Sequence, residues 1–187
     1  MRCLLCSAFS WRLICKNCEA KIETIPKAHN LQELKVISFY DFDDIEPLLH
    51  AKYRPFGSYI LKNLALKSFR KFFSALELEN PAALVPIDDR ISTWYSHTAI
   101  LAKFGAGGVV RARFGVLRAR SHDRYAGQTL AFRKSHPRRF VVKSFIEKNA
   151  ILIDDIMTTG TTLLEAAAAL ENSGKIVLFA VVLSRAK

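Results

Sequence analysis

The chain has 187 residues, 50% of them hydrophobic, and a formal net charge of +11 at pH 7. Such a chain has enough apolar material for one domain with an ordinary core and a small additional module. No stretch reaches the roughly 18 uninterrupted apolar residues of a membrane span, and none has the layout of a signal peptide. The sequence therefore predicts a protein without an integral membrane segment, in the cytoplasm.

The positive charge is concentrated in one quarter of the chain. Residues 103–148 contain 12 Lys or Arg and 2 acidic residues. The rest of the chain contains 16 Lys or Arg and 15 acidic residues. A dense positive segment on an otherwise balanced protein indicates a polyanionic partner, such as phosphates, nucleic acid or anionic lipid head groups. The alternative is a basic loop that is simply solvated.

The first 18 residues contain all four cysteines, Cys3, Cys6, Cys15 and Cys18. Two C-x-x-C pairs can place four thiolates around one tetrahedral zinc, and four protein ligands leave no open position for catalysis. We therefore predict a structural Zn²⁺ in a compact zinc ribbon or knuckle over residues 1–25, with residues 26–187 as the main domain. Redox chemistry and an unmetallated loop are the alternatives.

The apolar runs in the middle of the chain predict the elements of an α/β domain. A polar linker at residues 21–34 precedes a first strand at residues 36–40. Further elements are predicted as an amphipathic helix at 56–76, a buried strand at 83–87, a helix at 92–104, and strands at 109–116 and 140–145.

The last 40 residues have the clearest pattern. An apolar strand at residues 150–153 precedes an Ala-rich helix at 161–172, which Gly174 ends, and a second apolar strand follows at 176–183. Unbroken apolar strands on both sides of a helix indicate a β-α-β unit in a parallel sheet that is covered on both faces. The predicted fold is therefore an open parallel sheet with flanking helices.

Polar residues follow the predicted strand at residues 150–153. Asp154 and Asp155 fall at its carboxyl end, where open parallel sheets bind ligands, and their carboxylates can hold vicinal ribose hydroxyls directly or through Mg²⁺. The next residues supply hydroxyls and an unhindered backbone where a helix begins. The free amides and the positive dipole end of such a helix bind anions. These residues are Thr158, Thr159, Gly160, Thr161 and Thr162.

Two alternative interpretations of this turn are weaker. Residues 158–162 could merely cap the helix, but a cap needs one such residue. The segment is not a Walker nucleotide loop, because it has no Gly-Lys pair. It is not a dinucleotide-binding turn either, because it lacks the required glycine spacing. The turn is therefore predicted to bind a phosphorylated ribose.

The segment ILIDDIMTTGTT at residues 151–162 resembles the 5-phosphoribosyl-1-pyrophosphate (PRPP) motif of type I phosphoribosyltransferases. With the four-cysteine module, the chain resembles the ComF family of late competence proteins, whose Lys-Tyr-Arg segment is similar to residues 51–54. The resemblance implies a type I phosphoribosyltransferase-like fold after a zinc ribbon or knuckle, and Mg²⁺ with PRPP. It implies PRPP contacts from Asp154, Asp155, Met157, Thr158, Thr159, Gly160, Thr161 and Thr162, and pyrophosphate contacts from Asp88, Asp89 and Arg90.

The resemblance also implies a role in natural transformation, with PRPP and single-stranded DNA as ligands. A DNA-uptake helicase or an inner-membrane channel is the expected protein partner, and the inner face of the membrane is a possible peripheral location. Single-strand binders combine a positive groove with aromatic rings. The expected DNA contacts are Arg111, Arg113, Arg118, Arg120, Arg124, Arg133, Lys134, Arg138 and Arg139.

The alternative function is a catalytically active phosphoribosyltransferase that acts on a small base or amine. Residues 93–97, TWYSH, stand where the ComF family has Arg-Gly-Phe-Asn-Gln. The resemblance therefore assigns no catalytic residue, and PRPP binding is predicted with more support than PRPP turnover.

Overall fold

The structure is a computed structural model of the chain and describes residues 1–87, 94–120 and 138–186. Its strands are β1 (Lys27–Leu31), β2 (Leu34–Tyr40), β3 (Ala82–Pro86), β4 (Val110–Ala112), β5 (Leu117–Ala119), β6 (Phe140–Val142), β7 (Asn149–Met157) and β8 (Ile176–Arg185). Its helices are α1 (Lys16–Lys21), α2 (Phe42–His50), α3 (Gly57–Lys67), α4 (Phe69–Ser74), α5 (His97–Gly105) and α6 (Thr161–Asn172), with a 3-10 turn at Ala51–Tyr53.

Six of these strands form one sheet in the order β1-β2-β8-β7-β3-β4, and β5 pairs with β6 in a separate antiparallel hairpin. Every pair in the main sheet is parallel except β1 with β2. The predicted α/β class and the mostly parallel sheet are confirmed. The predicted linker at residues 21–34 was partly wrong, because it contains the edge strand β1.

The sheet separates two hydrophobic cores. Ile151 and Ile153 of β7 pack into the core beneath α2, α3, α4 and α5, whereas Ala150 and Leu152 pack into the core beneath α6 and the β5–β6 hairpin. This alternation is the two-residue period of a strand. Burial on both faces explains why residues 150–153 of β7 and residues 176–183 of β8 are apolar without interruption.

Of two further predicted elements, one is divided in the structure and the other is shorter than predicted. The helix predicted at residues 56–76 breaks at Ser68, whose hydroxyl donates to the Leu64 carbonyl at 2.7 Å and whose φ and ψ are −105° and −81°. The strand predicted at residues 109–116 ends at Ala112, and Gly115 turns the chain with a φ of +66° before β5. Local hydrogen bonding and a left-handed glycine therefore override the apolar pattern.

The C-terminal β-α-β unit is confirmed, but its first strand is longer than predicted: β7 extends to Met157, so Asp154 and Asp155 lie within the strand rather than after it. Helix α6 has the predicted limits, and Gly174 follows it with a φ of +84°. Helix α5 begins at His97, where Ser96 caps it by accepting from the Ala99 amide. Among the helices of the described ranges, none combines the length and apolar character needed to cross a bilayer.

Candidate functional site

The turn between β7 and α6 forms a small pocket at the carboxyl end of the sheet. The pocket is lined by Asp154, Ile156, Met157, Thr158, Thr159, Gly160, Thr161, Thr162 and Leu163. Gly160 occupies the position before α6 with a φ of +75°, which L side chains rarely adopt. This glycine lets the backbone turn directly from the strand into the helix.

The start of α6 presents hydrogen-bond donors to this pocket. The first bond within the helix runs from the Leu164 amide to the Gly160 carbonyl at 3.0 Å, so the amides of residues 161–163 have no acceptor within the helix. The hydroxyls of Thr159 and Thr161 lie 3.1 Å apart at the same turn. Amides, hydroxyls and the positive end of the helix dipole together suit an anionic ligand.

The two adjacent carboxylates lie on opposite faces of the sheet. Continuing the alternation of β7 places Asp154 on the α6 side, where it lines the pocket, and Asp155 on the other side. Asp155 is 8% exposed and accepts a hydrogen bond from the Lys52 ammonium, which is 9% exposed. One carboxylate therefore faces the pocket, and the other forms a buried ion pair.

The surroundings shift the pKa values of the two carboxylates in opposite directions. Burial, together with the charge of Asp155, raises the pKa of Asp154 to about 8. Burial also disfavours the charge of Asp155, but the Lys52 ammonium outweighs it and lowers the pKa of Asp155 below its ordinary value. The same pairing raises the pKa of Lys52. Asp155 and Lys52 are thus both charged at neutral pH, whereas Asp154 titrates near it.

Lys52 is a residue of this site that the sequence did not single out for a role. Its backbone carbonyl accepts from the Tyr95 hydroxyl at 2.5 Å, and the buried His97 packs edge-on against the rings of Tyr53 and Tyr95. The available signal was the similarity of residues 51–54 to the ComF Lys-Tyr-Arg segment. Tyr95 and His97, which stand in the segment that differs from the ComF pattern, lie beside the Lys52–Asp155 pair.

The predicted pyrophosphate contacts Asp88, Asp89 and Arg90 lie outside the described residues. The strand that leads to them is well defined, because β3 pairs with β7 up to Pro86 and Ile153. The Ile87 amide then donates to the Ile153 carbonyl at 3.0 Å. The described chain thus reaches the same edge of the sheet as Asp154.

Three of the predicted DNA contacts share the β5–β6 hairpin. Arg118 of β5 lies opposite Val141 of β6. Arg120 comes directly after β5 and Arg139 directly before β6, and all three arginines are exposed. Leu117 is buried on the other face of the hairpin, in the core beneath α6. The exposed face of the hairpin is therefore basic, and we call Arg118, Arg120 and Arg139 the hairpin arginines.

The other predicted DNA contacts have different surroundings. Arg113 forms a bidentate ion pair with the buried Glu147, with distances of 2.9 and 3.1 Å from its Nε to the two carboxylate oxygens. The positive charge of Arg138 acts to lower the pKa of Asp154, and the Arg138 backbone amide donates to the Glu165 carboxylate at 2.8 Å. Arg111 is exposed. The remaining three, Arg124, Arg133 and Lys134, lie outside the described residues.

The four cysteines converge as predicted. Their sulfur atoms all lie within 4.8 Å of one another, and the sulfurs of Cys6 and Cys15 are 3.8 Å apart. Ligands about 2.3 Å from a tetrahedral zinc stand roughly 3.8 Å from each other. Burial disfavours the Cys3 thiolate, but amides of Cys15, Cys6 and Leu5 lower the pKa of Cys3 to about 6. The spacing and the thiolate-stabilising amides fit a zinc ion.

The cysteine module is attached to the main domain through α3. A cavity of about 370 Å³ lies between them, with Trp11, Tyr59 and Ile60 in its lining. Glu19 of α1 bridges the two sides, at 2.9 Å from Lys67 and 2.8 Å from Arg12. Packing and charge thus hold the module against α3.

A model of the Phosphoribosyl transferase domain family matches residues 60–187 of this chain. The match covers more than half of the chain and includes the pocket between β7 and α6. The chain therefore belongs to the phosphoribosyl transferase domain family. The comparison with curated proteins gives no significant match.

Two solved structures are similar to the chain in fold. Orotate phosphoribosyltransferase from Aeropyrum pernix is 17% identical, with 91% of this chain and 78% of that chain covered and a TM-score of 0.39. Mycobacterium tuberculosis H37Rv orotate phosphoribosyltransferase, solved in complex with Fe(III) dicitrate, is 12% identical, with 90% and 93% covered and a TM-score of 0.38. At these TM-scores neither likeness bears on function.

Proposed function

We propose that the protein binds PRPP in the pocket between β7 and α6. The observation that carries this proposal is that Asp154 and the first turn of α6 line the same pocket. A carboxylate for the ribose diol then stands beside the amides and hydroxyls of residues 158–162, which suit the 5-phosphate. Membership in the phosphoribosyl transferase domain family supports the same ligand.

Mg²⁺ fits this proposal through the donors that are present. Magnesium is usually held by one or two carboxylates together with substrate phosphates and water. Asp154 supplies a half-buried carboxylate on the pocket side, and Asp88 and Asp89 are the further candidates. The ion would neutralise the pyrophosphate of PRPP, while Asp154 and the α6 amides orient the ribose and its phosphate.

Calorimetry tests PRPP binding directly. We expect saturable binding of PRPP that strengthens with Mg²⁺, and a loss of at least tenfold in affinity in Asp154→Asn. Asp44→Asn, which changes an exposed acid on α2, is the matched control and should bind like the wild type. An absence of PRPP binding in the wild type with Mg²⁺ present would contradict the proposal.

We further propose a ComF-like role in natural transformation, with single-stranded DNA as the second ligand. The hairpin arginines support it, because they form an exposed basic face, and the exposed Phe114 precedes the hairpin. Single-strand binders combine such cations with exposed rings. In this role the protein works in the cytoplasm, at the inner face of the membrane, and passes DNA to or from an uptake helicase or channel.

The salt dependence of DNA affinity tests this second ligand. We expect the logarithm of affinity for a single-stranded oligonucleotide to fall linearly with the logarithm of salt concentration, and the slope to decrease by about 0.7 for each phosphate contact removed. The variant replaces the three hairpin arginines with Ala. Its control replaces the exposed Lys16, Lys35 and Lys71, which removes the same charge elsewhere. Equal slopes for variant and control would contradict the proposed surface.

The alternative function is phosphoribosyl transfer to a small base or amine. Family membership supports it, although no acceptor is identified. Pyrophosphate release from PRPP and Mg²⁺ with a panel of bases and amines tests it. Release above background that Asp154→Asn abolishes would favour the enzyme, whereas binding of PRPP without release would favour a ligand-binding role.

A further inference from the structure

The Lys52–Asp155 ion pair joins residues 103 positions apart in the chain. Lys52 comes from the 3-10 turn before α3, whereas Asp155 comes from the end of β7 beside the pocket. Both side chains are about one-tenth exposed. A buried ion pair does not by itself indicate a gain in stability, because desolvation offsets much of the attraction. Its position next to Asp154 suggests a different role.

We propose that Lys52 is a positioning residue of the PRPP site, which holds Asp155 and thereby leaves Asp154 as the carboxylate that faces the ribose. This inference rests on the proposed PRPP binding. Lys52 does not line the pocket, so it acts through Asp155 and β7 rather than through contact with the ligand. Lys52 would thus belong to the PRPP site although it lies outside the turn between β7 and α6.

The position of Lys52 is itself fixed by two other segments. The Tyr95 hydroxyl donates to the Lys52 carbonyl at 2.5 Å. Gly57 allows this close packing, since a Cβ at that position would lie 2.3 Å from the Tyr95 oxygen and 2.7 Å from the Lys52 Cα. The start of α3, the 3-10 turn and the segment before α5 therefore meet at Lys52, and they aim its ammonium at β7.

The charges around Asp155 explain why this positioning matters. Lys52 faces Asp155 from the 3-10 turn, His97 acts on it from α5, and Asp154 adjoins it in β7. Without the ammonium, the buried Asp155 carboxylate would have no lysine beside it, which is unfavourable. The end of β7 would then move to bring Asp155 toward water, and Asp154, its neighbour in the strand, would move with it. Lys52 prevents this by holding Asp155 on the face of the sheet opposite the pocket.

A set of substitutions measured by calorimetry with PRPP and Mg²⁺ tests the inference. We expect Lys52→Met to weaken PRPP binding by about 10- to 100-fold, the range typical of residues that hold a ligating group in place. The effect should disappear in an Asp155→Asn background, because Lys52 then has no carboxylate to hold. Lys35→Met, an exposed lysine on β2, is the matched control and should leave the affinity unchanged.

Rescue by a variant that keeps the cation separates positioning from a purely structural role. Lys52→Arg retains a positive charge beside Asp155 and should restore much of the PRPP affinity that Lys52→Met loses. Circular dichroism checks that each variant is folded. If Lys52→Met does not fold, Tyr95→Phe takes its place, since it removes only the hydroxyl that fixes Lys52, and a smaller loss of affinity is expected.

The outcomes distinguish this inference from the proposed function. If the wild type binds PRPP and folded Lys52→Met, or Tyr95→Phe in its place, binds equally well, the positioning role is wrong and PRPP binding stands. An equal effect of Lys52→Met in the Asp155→Asn background would also overturn it. If the wild type does not bind PRPP, the proposed function fails and the inference fails with it.

Discussion

Leu31 in the edge strand β1 packs against Gly160 at the start of α6. A Cβ built on Gly160 would lie 2.2 Å from Leu31 Cδ2 and 2.8 Å from Leu31 Cδ1. The antiparallel strand at one edge of the sheet therefore supports the turn between β7 and α6. Gly160 is required there both by its φ of +75° and by this close approach.

Gly160→Ala is expected to weaken PRPP binding by at least tenfold and to lower stability by about 1–3 kcal/mol, because the turn is strained and its amides move. Calorimetry with PRPP and thermal unfolding measure the two effects. Gly174→Ala is the matched control, since Gly174 has a φ of +84° but open space around its Cβ position and lies away from the pocket. It should lose stability and keep its PRPP affinity.

The sequence predicted the elements with strong periodicity and missed those that depend on tertiary contacts. Helix α6 and strand β8 were found because their apolar patterns are long and uninterrupted. Strand β1, KAHNL, is short and largely polar, and it exists because it pairs with β2 at the edge of the sheet. Its composition alone resembles a linker.

The candidate site was predictable only where it is contiguous in sequence. Residues 154–162 were recognised together because one strand, turn and helix carry them. The role of Lys52 depends on a partner 103 residues away, so no local pattern reveals it. The opposite orientation of Asp154 and Asp155 does follow from the strand period, once β7 is known to continue to Met157.

The raised pKa of Asp154 predicts how PRPP affinity depends on pH. An ionised carboxylate accepts both ribose hydrogen bonds, and the pKa of Asp154 is about 8. Affinity should therefore rise with pH by up to about tenfold per unit below pH 8 and level off above it. Calorimetry between pH 7 and 9 measures this, and Asp154→Asn should show a flat profile. A flat profile in the wild type would contradict the prediction.

The same pKa shift makes Asp154 costly for stability at high pH. Its folded-state pKa lies above its ordinary value, so the folded protein binds the extra proton and loses stability as the pH rises from about 4 to 8. Asp154→Asn should therefore be more stable than the wild type at pH 9, by on the order of 1–3 kcal/mol in the free energy of unfolding, and nearly equal to it in stability at pH 4. Thermal unfolding at both pH values tests the sign.

Arg113 is predicted to serve stability rather than DNA binding. Its bidentate pair with Glu147 leaves it little freedom to contact phosphates, and Arg113→Ala would leave a buried carboxylate without this partner. We expect a modest loss of stability at pH 7, because solvent screens the partly exposed Arg113 while Glu147 stays buried. Arg118→Ala should show the reverse: unchanged stability and a salt slope for single-stranded DNA smaller by about 0.7.

Unfolding measurements in acid test whether the Arg113–Glu147 ion pair accounts for the expected loss of stability. The pairing with Arg113 lowers the pKa of Glu147, so its stabilisation is present above the ordinary pKa and is lost as the pH falls through the folded-state value. The difference in unfolding free energy between wild type and Arg113→Ala should therefore shrink below about pH 4. A difference that persists in acid would mean that packing, not the ion pair, accounts for the loss.

Metal analysis of the purified, reduced protein tests the cysteine cluster. We expect one zinc per chain, with the metal lost in Cys6→Ser or after chelation, because four thiolates at tetrahedral spacing are needed to hold it. Zinc loss should lower the unfolding temperature by several degrees, since Leu13 and Ile14 of the module pack on the core beneath α3. Lys16→Ala, an exposed change on α1, should retain zinc and stability. PRPP affinity should survive zinc removal at low temperature, because the pocket between β7 and α6 contains no residue of the module.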